Sequence, residues 1–247
     1  MTRGFLSSLS EWLFIDNGSC PVCGKVLVSK SRFLCSACED DLRFPSAGQC
    51  EGCGRMMTKH DARLCSECIT HPGILDGGFS WLIYDRTSKA LIEGFKFHQR
   101  PKLAFWCGLR MSETIMDRPW LSDVTHICAV PLHVNRYAER GYNQSERLAE
   151  GIRTGLAAKG IALSPGYHFV TRPKDTPHQV GMDRAFREQN VRDAFAVPVP
   201  KAVKNARILL VDDVLTTGAT LFHAALALKK AGAAKVYAAA CASVPGE

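Results

Sequence analysis

Eight cysteines in four C-x-x-C pairs, repeated at an offset of thirty residues, constrain this chain more than any other feature. The run CPVCGKVLVSKSRFLCSAC at 20–38 returns as CEGCGRMMTKHDARLCSEC at 50–68, including the C-G-[KR] turn and the L-C-S-x-C ending. Such self-similarity marks a tandem duplication of one small unit. Each copy reads C-x2-C-x11-C-x2-C, tighter than the usual zinc spacing but of the same form. A C-x-G turn points two thiolates at one centre and a short hairpin returns the second pair. Four sulfurs at ~2.3 Å close a structural Zn²⁺ site with no open position. Disulfides are disfavoured in a reducing compartment, and a redox dithiol explains one C-x-x-C but not four in register. Two zinc ions are expected, held by Cys20, Cys23, Cys35, Cys38, Cys50, Cys53, Cys65 and Cys68. Sequential sites (20/23/35/38, then 50/53/65/68) are favoured over a cross-brace, because each repeat then closes its own. Cys107, Cys128 and Cys241 lie in apolar runs and read as small core residues.

The 247 residues are 46% hydrophobic and 22% charged, which argues against disorder and coiled coil. No apolar run reaches the ~18–20 residues of a membrane span. Glu11 interrupts the N-terminal apolar stretch and no small-residue cleavage site follows, so a cytoplasmic protein without membrane insertion is expected. Lys+Arg and Asp+Glu balance at 8 and 8 over residues 1–75, so the whole formal excess of +7 falls in residues 76–247. A phosphate-rich partner is expected to meet that second part first.

Three segments follow from these breaks. Residues 1–18 hold a short amphipathic helix over Phe5–Leu13, 19–75 the cysteine module, and 76–247 a larger domain. In the last, strand patterns at Gly78–Tyr84, Thr125–Leu132, Arg207–Val211 and Lys235–Ala242 alternate with helical patterns. The helices read as Ser88–Phe97, Leu103–Met116, Asn143–Ala158 and Thr220–Ala231. That alternation predicts an α/β fold, an open parallel sheet with helices on both faces. Periodicity fades between 168 and 200, as expected of a functional lid or an irregular loop.

The run Arg207-Ile-Leu-Leu-Val-Asp212-Asp213-Val-Leu-Thr216-Thr217-Gly218-Ala219-Thr220 places two carboxylates and a small-residue turn between a strand and a helix. Backbone N–H groups at such a helix start form an anion site, and Thr hydroxyls add donors. Carboxylates at the C-terminal end of a strand sit where open α/β sheets bind ligands. A pair of them can accept hydrogen bonds from vicinal ribose hydroxyls. Neither G-x-x-x-x-G-K-[ST] nor a strand-linked G-x-G-x-x-G is present.

This run resembles the phosphoribosyl-pyrophosphate (PRPP) loop of type I phosphoribosyltransferases: four apolar residues, two acids, a spacer and T-G-x-T. With Y-D at 84–85, F-K-F-H at 95–98, P-L-H at 131–133, R-G-Y-N-Q-S-E at 140–146, T-P-H-Q at 176–179 and R-E-Q-N at 187–190, followed by A-F at 194–195, the chain resembles the ComF (GntX-like) family. The resemblance implies a double zinc ribbon ahead of a phosphoribosyltransferase domain that binds PRPP with magnesium. It also implies a link to DNA uptake or utilisation, with single-stranded DNA and competence proteins as candidate partners. By the same match Asp212 and Asp213 take the ribose hydroxyls, while Thr216, Thr217, Gly218, Ala219 and Thr220 hold the 5′-phosphate. The turn Pro131-Leu132-His133, with Arg136 and Arg140 after it, is expected to meet the pyrophosphate. The segment 168–195, with Arg172, Lys174, Gln179, Arg184, Arg187, Asn190 and Arg192, is the expected hood. Lys96 and Arg100 are read equally as phosphate contacts or as surface. The reading leans to an enzyme that displaces pyrophosphate at the anomeric carbon; its rival is a non-catalytic PRPP sensor that handles single-stranded DNA.

Overall fold

The computed structural model describes residues 18–27, 33–45, 48–58, 62–173 and 194–246. The predicted Phe5–Leu13 helix and most of the predicted hood (174–193) lie outside them.

The two cysteine repeats fold alike. Cys20 N–H donates to the Lys25 carbonyl and Gly24 N–H to the Cys20 carbonyl; Cys50 with Arg55 and Gly54 with Cys50 repeat both bonds. The second cysteine pair of each repeat comes from a single helical turn, α1 (Ser36–Asp40) and α2 (Ser66–Thr70), while the predicted hairpin between the pairs falls partly on residues outside those described. Cys35 and Cys65 occupy the extended cap positions of these turns, and Cys38 and Cys68 project from within them.

Beyond the repeats the chain runs β1 (Gly77–Ile83), α3 (Arg86–Phe97), α4 (Pro101–Thr114), β2 (His126–Ala129), α5 (Val134–Arg140), α6 (Gln144–Ala157), β3 (Ser164–Pro165), α7 (Pro200–Val203), β4 (Arg207–Leu215), α8 (Ala219–Lys230) and β5 (Lys235–Ser243). All strand pairs are parallel, in the order β1-β5-β4-β2-β3. The predicted open α/β sheet is therefore present. Two boundaries differ in ways that matter for function. Strand β4 continues through Asp212 and Asp213 to Leu215, four residues past the predicted end at Val211. The segment with Arg136 and Arg140, which follows the Pro131-Leu132-His133 turn, is a helix.

Alternation along the buried strands divides the core in two. Leu209, Val211 and Ala239 pack with α3, α4 and α6 on one face; Ile208, Leu210 and Ala238 pack with α8 on the other. The repeats join opposite faces, Cys20 and Leu34 entering the first cluster and Cys50 and Met57 the second. They thereby straddle the edge strand β1. The Gln49 amide donates to the Ser80 carbonyl at 2.7 Å and accepts from Ser80 N–H at 3.4 Å. Met57 bridges to Gly246 beyond β5.

Helices α4 and α6 meet at glycines. A Cβ on Gly108 would lie 2.2 Å from the Leu148 carbonyl oxygen, and one on Gly151 would lie 2.1 Å from that of Phe105. This backbone contact presses α6 against the sheet and fixes where its N-terminus emerges.

Candidate functional site

Four elements deliver side chains to the C-terminal ends of β2 and β4. Helix α3 starts at a reciprocal cap: Asp85 accepts from Ser88 N–H, and the Ser88 hydroxyl accepts from Asp85 N–H. Two further turns of helix bring Lys96 over β4. Helix α6 starts at Asn143, whose side chain accepts from Ser145 N–H at 3.0 Å and donates to the Val130 carbonyl at 3.0 Å. That second bond ties the helix start to the end of β2 and aims Gln144 and Ser145 at the same place. The Tyr142 hydroxyl donates to the Phe95 carbonyl, one residue before Lys96. Burial pushes its phenol up to about 12, so it stays a donor.

The centre of the site is the carboxylate pair. Lys96 Nζ lies 2.7 Å from Asp213 Oδ1, and Gln144 Nε2 donates to Asp213 Oδ2 at 2.6 Å. Asp212 Oδ1 accepts from the Ser145 hydroxyl at 3.2 Å and from Asp213 N–H at 2.9 Å. Both acids are buried. Burial, reinforced by the neighbouring Asp213 charge, lifts the Asp212 carboxyl to about 7.

An open cavity of about 470 Å³ lies above this pair. Of the residues singled out from sequence, Asp212, Asp213, Thr216, Thr220, Pro131, Leu132, Arg136 and Arg140 line it. Thr217, Gly218 and Ala219 form the turn beside it, and Thr217 and Ala219 face a smaller cavity between α8 and the second cysteine repeat. Gly218 caps α8 in the left-handed region (φ +88°), a conformation that turns the backbone N–H groups of the helix start toward one point. His133 does not line the cavity; its Nδ1 accepts from Asn135 N–H and caps α5.

Lys96, Gln144 and Ser145 are site residues to which the sequence alone assigns no definite role. Their motifs, F-K-F-H and R-G-Y-N-Q-S-E, are visible, but no spacing reveals that two helices converge on one aspartate. Arg100, grouped with Lys96 from sequence, turns away and donates to the Ser19 carbonyl at 3.0 Å. At the cavity mouth the Arg140 guanidinium lies over the Phe97 ring, 5.4 Å from its centroid, with Phe97 itself 61% exposed. Arg172, the part of the predicted hood within the described residues, lines the same cavity.

The cysteines form two sets, Cys20/Cys23/Cys35/Cys38 and Cys50/Cys53/Cys65/Cys68, with the sulfurs of each within 4.8 Å of one another. This is the sequential arrangement. Cys23 Sγ to Cys35 Sγ and Cys53 Sγ to Cys65 Sγ are both 3.6 Å. A regular tetrahedron with Zn–S bonds of ~2.3 Å has edges of about 3.8 Å, so both sets are of a size that suits zinc. Cys50 Sγ also accepts from Cys65 N–H at 3.3 Å, which favours the thiolate a metal requires. Cys107, Cys128 and Cys241 are buried in the core, as predicted, and burial pushes the Cys128 thiol up to about 12.

Comparison with known proteins follows the same division. Residues 9–69 match the double zinc ribbon domain and residues 172–246 the phosphoribosyl transferase domain. Competence protein F of Haemophilus influenzae is 31% identical over 154 residues, 59% of this chain and 63% of that protein. DNA utilization protein YhgH of Salmonella typhimurium is 31% identical over 149 residues, with the same coverage. The chain thus spans less than two thirds of the length of these relatives. A ribose-phosphate pyrophosphokinase of Pyrococcus furiosus is 32% identical over 172 residues, 68% of this chain and 58% of that protein. The chain thus carries a double zinc ribbon domain ahead of a phosphoribosyl transferase domain on a parallel sheet, and over part of its length it is similar to competence protein F and to the DNA utilization proteins.

Proposed function

We propose that this protein binds PRPP with magnesium above β4 and transfers phosphoribose to an acceptor, releasing pyrophosphate. The observation that carries this reading is the buried Asp212–Asp213 pair beside the Thr216–Thr220 turn, under one cavity with Arg136 and Arg140. Each carboxylate oxygen has two lone-pair positions, so ribose hydroxyls can add to Asp212 and Asp213 without displacing Ser145, Gln144 or Lys96. The turn's N–H groups face the 5′-phosphate, and the two guanidiniums stand where a pyrophosphate reaches across from the ribose.

In the reaction the acceptor's nucleophile bonds to the anomeric carbon as the bond to the pyrophosphate oxygen breaks, and the electron pair leaves with pyrophosphate. The protein's share is positioning and neutralisation of charge on the leaving group. Magnesium arrives with the ligand; it prefers oxygen donors, keeps most of its waters and needs one or two carboxylates at most, which this donor set offers. The two four-cysteine sets, which need reduced thiolates to hold metal, support a cytoplasmic setting.

A second reading, a PRPP-responsive factor that handles single-stranded DNA, draws on the Phe97–Arg140 stack at the cavity mouth and on the relatives' names. An exposed ring beside a guanidinium is a platform for an unpaired base. Calorimetry with Mg·PRPP on the native protein and on the Asp212→Ala/Asp213→Ala double variant tests the shared premise. Loss of two charge-assisted acceptors, about 1.5–3 kcal/mol each, is expected to abolish measurable binding; unchanged affinity refutes both readings. Pyrophosphate release with a panel of amines and bases then separates enzyme from sensor.

A further inference from the structure

Behind the Gly218 turn lies a cation that belongs to the zinc module. Arg55 follows the C-x-x-C-G knuckle of the second ribbon, yet it is only 7% exposed. Its side chain passes Gly246, whose added Cβ would lie 2.4 Å from Arg55 Cδ, and ends at the turn, where Nη2 is 3.4 Å from the Cβ position of Gly218. Glu67 Oε2 stands 4.0 Å from Nη1. Among the described residues, neither Nε nor Nη2 has a hydrogen-bond partner. A guanidinium carries five donors, and burying it with two nitrogens unmatched is costly unless something supplies the missing negative charge. The turn it abuts is the start of a twelve-residue helix with Gly218 in the left-handed region.

We infer that Arg55 is a positioning residue for the phosphate end of the ligand: the second zinc ribbon completes the Thr216–Thr220 site from behind. This rests on the proposal that the turn holds the 5′-phosphate of PRPP. The dianion in front of the turn and the guanidinium behind it attract through a thin, water-poor layer of backbone, where charge is poorly screened. Arg55 does not touch the reacting atoms. Its hold on the turn depends on the Cys50–Cys68 metal site, because the knuckle that presents it is built on Cys50 and Cys53. The corresponding residue of the first ribbon is Lys25, which is exposed. The two ribbons are therefore not equivalent in function.

Binding of ribose 5-phosphate, of pyrophosphate with magnesium, and of Mg·PRPP to the full-length protein tests this, with Arg55→Met, Arg55→Lys and Glu67→Gln beside the native chain. Arg55→Met is expected to weaken ribose 5-phosphate and PRPP roughly ten-fold and leave pyrophosphate unchanged, with two zinc ions still bound; Arg55→Lys should restore part of the loss. Native-like affinity in Arg55→Met overturns the inference, as does an equal loss for all three ligands. Should Arg55→Met fail to hold zinc, Glu67→Gln decides: removing the counter-charge is expected to tighten ribose 5-phosphate binding, and unchanged or weaker binding overturns it. If the native protein binds neither ribose 5-phosphate nor PRPP, the proposed function itself falls and takes this inference with it. Binding by the native protein with an indifferent Arg55 removes the inference alone.

Discussion

Lys96 and Asp213, 117 positions apart in sequence, form an ion pair of 2.7 Å in which the carboxylate is buried and the ammonium only partly exposed. The pair joins the end of α3 to the interior of β4 across the floor of the cavity. It gives the acid a charge partner and closes one side of the site.

Removing Lys96 leaves Asp213 with Gln144 as its remaining side-chain donor among the described residues. Lys96→Met is expected to cost about 1–2 kcal/mol of folding stability, less than a fully buried pair because the ammonium reaches solvent. Denaturant unfolding measures it. The same variant should bind Mg·PRPP more weakly, since Asp213 then loses the cation that orients its carboxylate.

Asp212 sets a pH dependence whose sign is fixed by its environment. Its carboxyl titrates at about 7 in the folded chain, raised first by burial and then by the Asp213 charge. In the unfolded chain an aspartate loses its proton near pH 4. Between these values the folded state binds more protons, so this group's contribution to stability is full below about pH 4 and is lost as pH rises through about 7. Asp212→Asn keeps an acceptor for Ser145 and carries no charge. It is expected to be more stable than the native protein at pH 8, the gap closing toward about pH 4.5. A constant gap between those two pH values contradicts the assignment.

The two metal sites differ in access. All four cysteines of the second set are buried, whereas Cys23 is exposed and Cys35 half-buried in the first. Elemental analysis is expected to find two zinc ions per chain, and a chelator should withdraw them in two phases. Cys35→Ser should eliminate the fast phase and leave the slow one. One uniform phase, or eight oxidised cysteines, contradicts it.

Gly218 has two reasons to be glycine. Its φ of +88° disfavours any side chain, and an added Cβ would meet the Phe222 ring at 2.9 Å. Gly218→Ala is expected to cost about 1–2 kcal/mol from the backbone alone. Because the strain falls on the turn, affinity for ribose 5-phosphate should drop more than affinity for pyrophosphate, which two titrations compare.

Much of this architecture is legible in the residues themselves, for physical reasons. The thirty-residue repeat exposes both metal sites and their membership, since each repeat closes on itself. Strand and helix alternation yields the parallel sheet, and D-D followed by T-T-G-A-T marks the end of β4 over which the cavity opens. What stays hidden depends on long-range packing. Nothing in F-K-F-H separates a lysine aimed at a strand from one aimed at water; Lys96 points inward because Asp213 lies in reach and the Tyr142–Phe95 bond anchors the adjacent backbone. Arg55 likewise reads as part of a C-G-[KR] turn, because the period of the repeat carries no information about which face the ribbon presents to the sheet. His133, expected at the ligand, serves as a helix cap, a role its sequence neighbours do not distinguish.

The Gln49–Ser80 pairing has a consequence for how the protein fails. A parallel sheet's outer strand offers unpaired donors and acceptors to any extended chain that meets it. Here the Gln49 side-chain amide, together with the Arg43 carbonyl that accepts from Ile83 N–H at 2.9 Å, imitates the missing neighbour, and Gln49 sits on the ribbon whose cysteines are all enclosed. Withdrawing the metal from the second ribbon is therefore expected to uncap β1 and leave a template for strand addition. Metal supply would then bear on colloidal solubility as well as on folding.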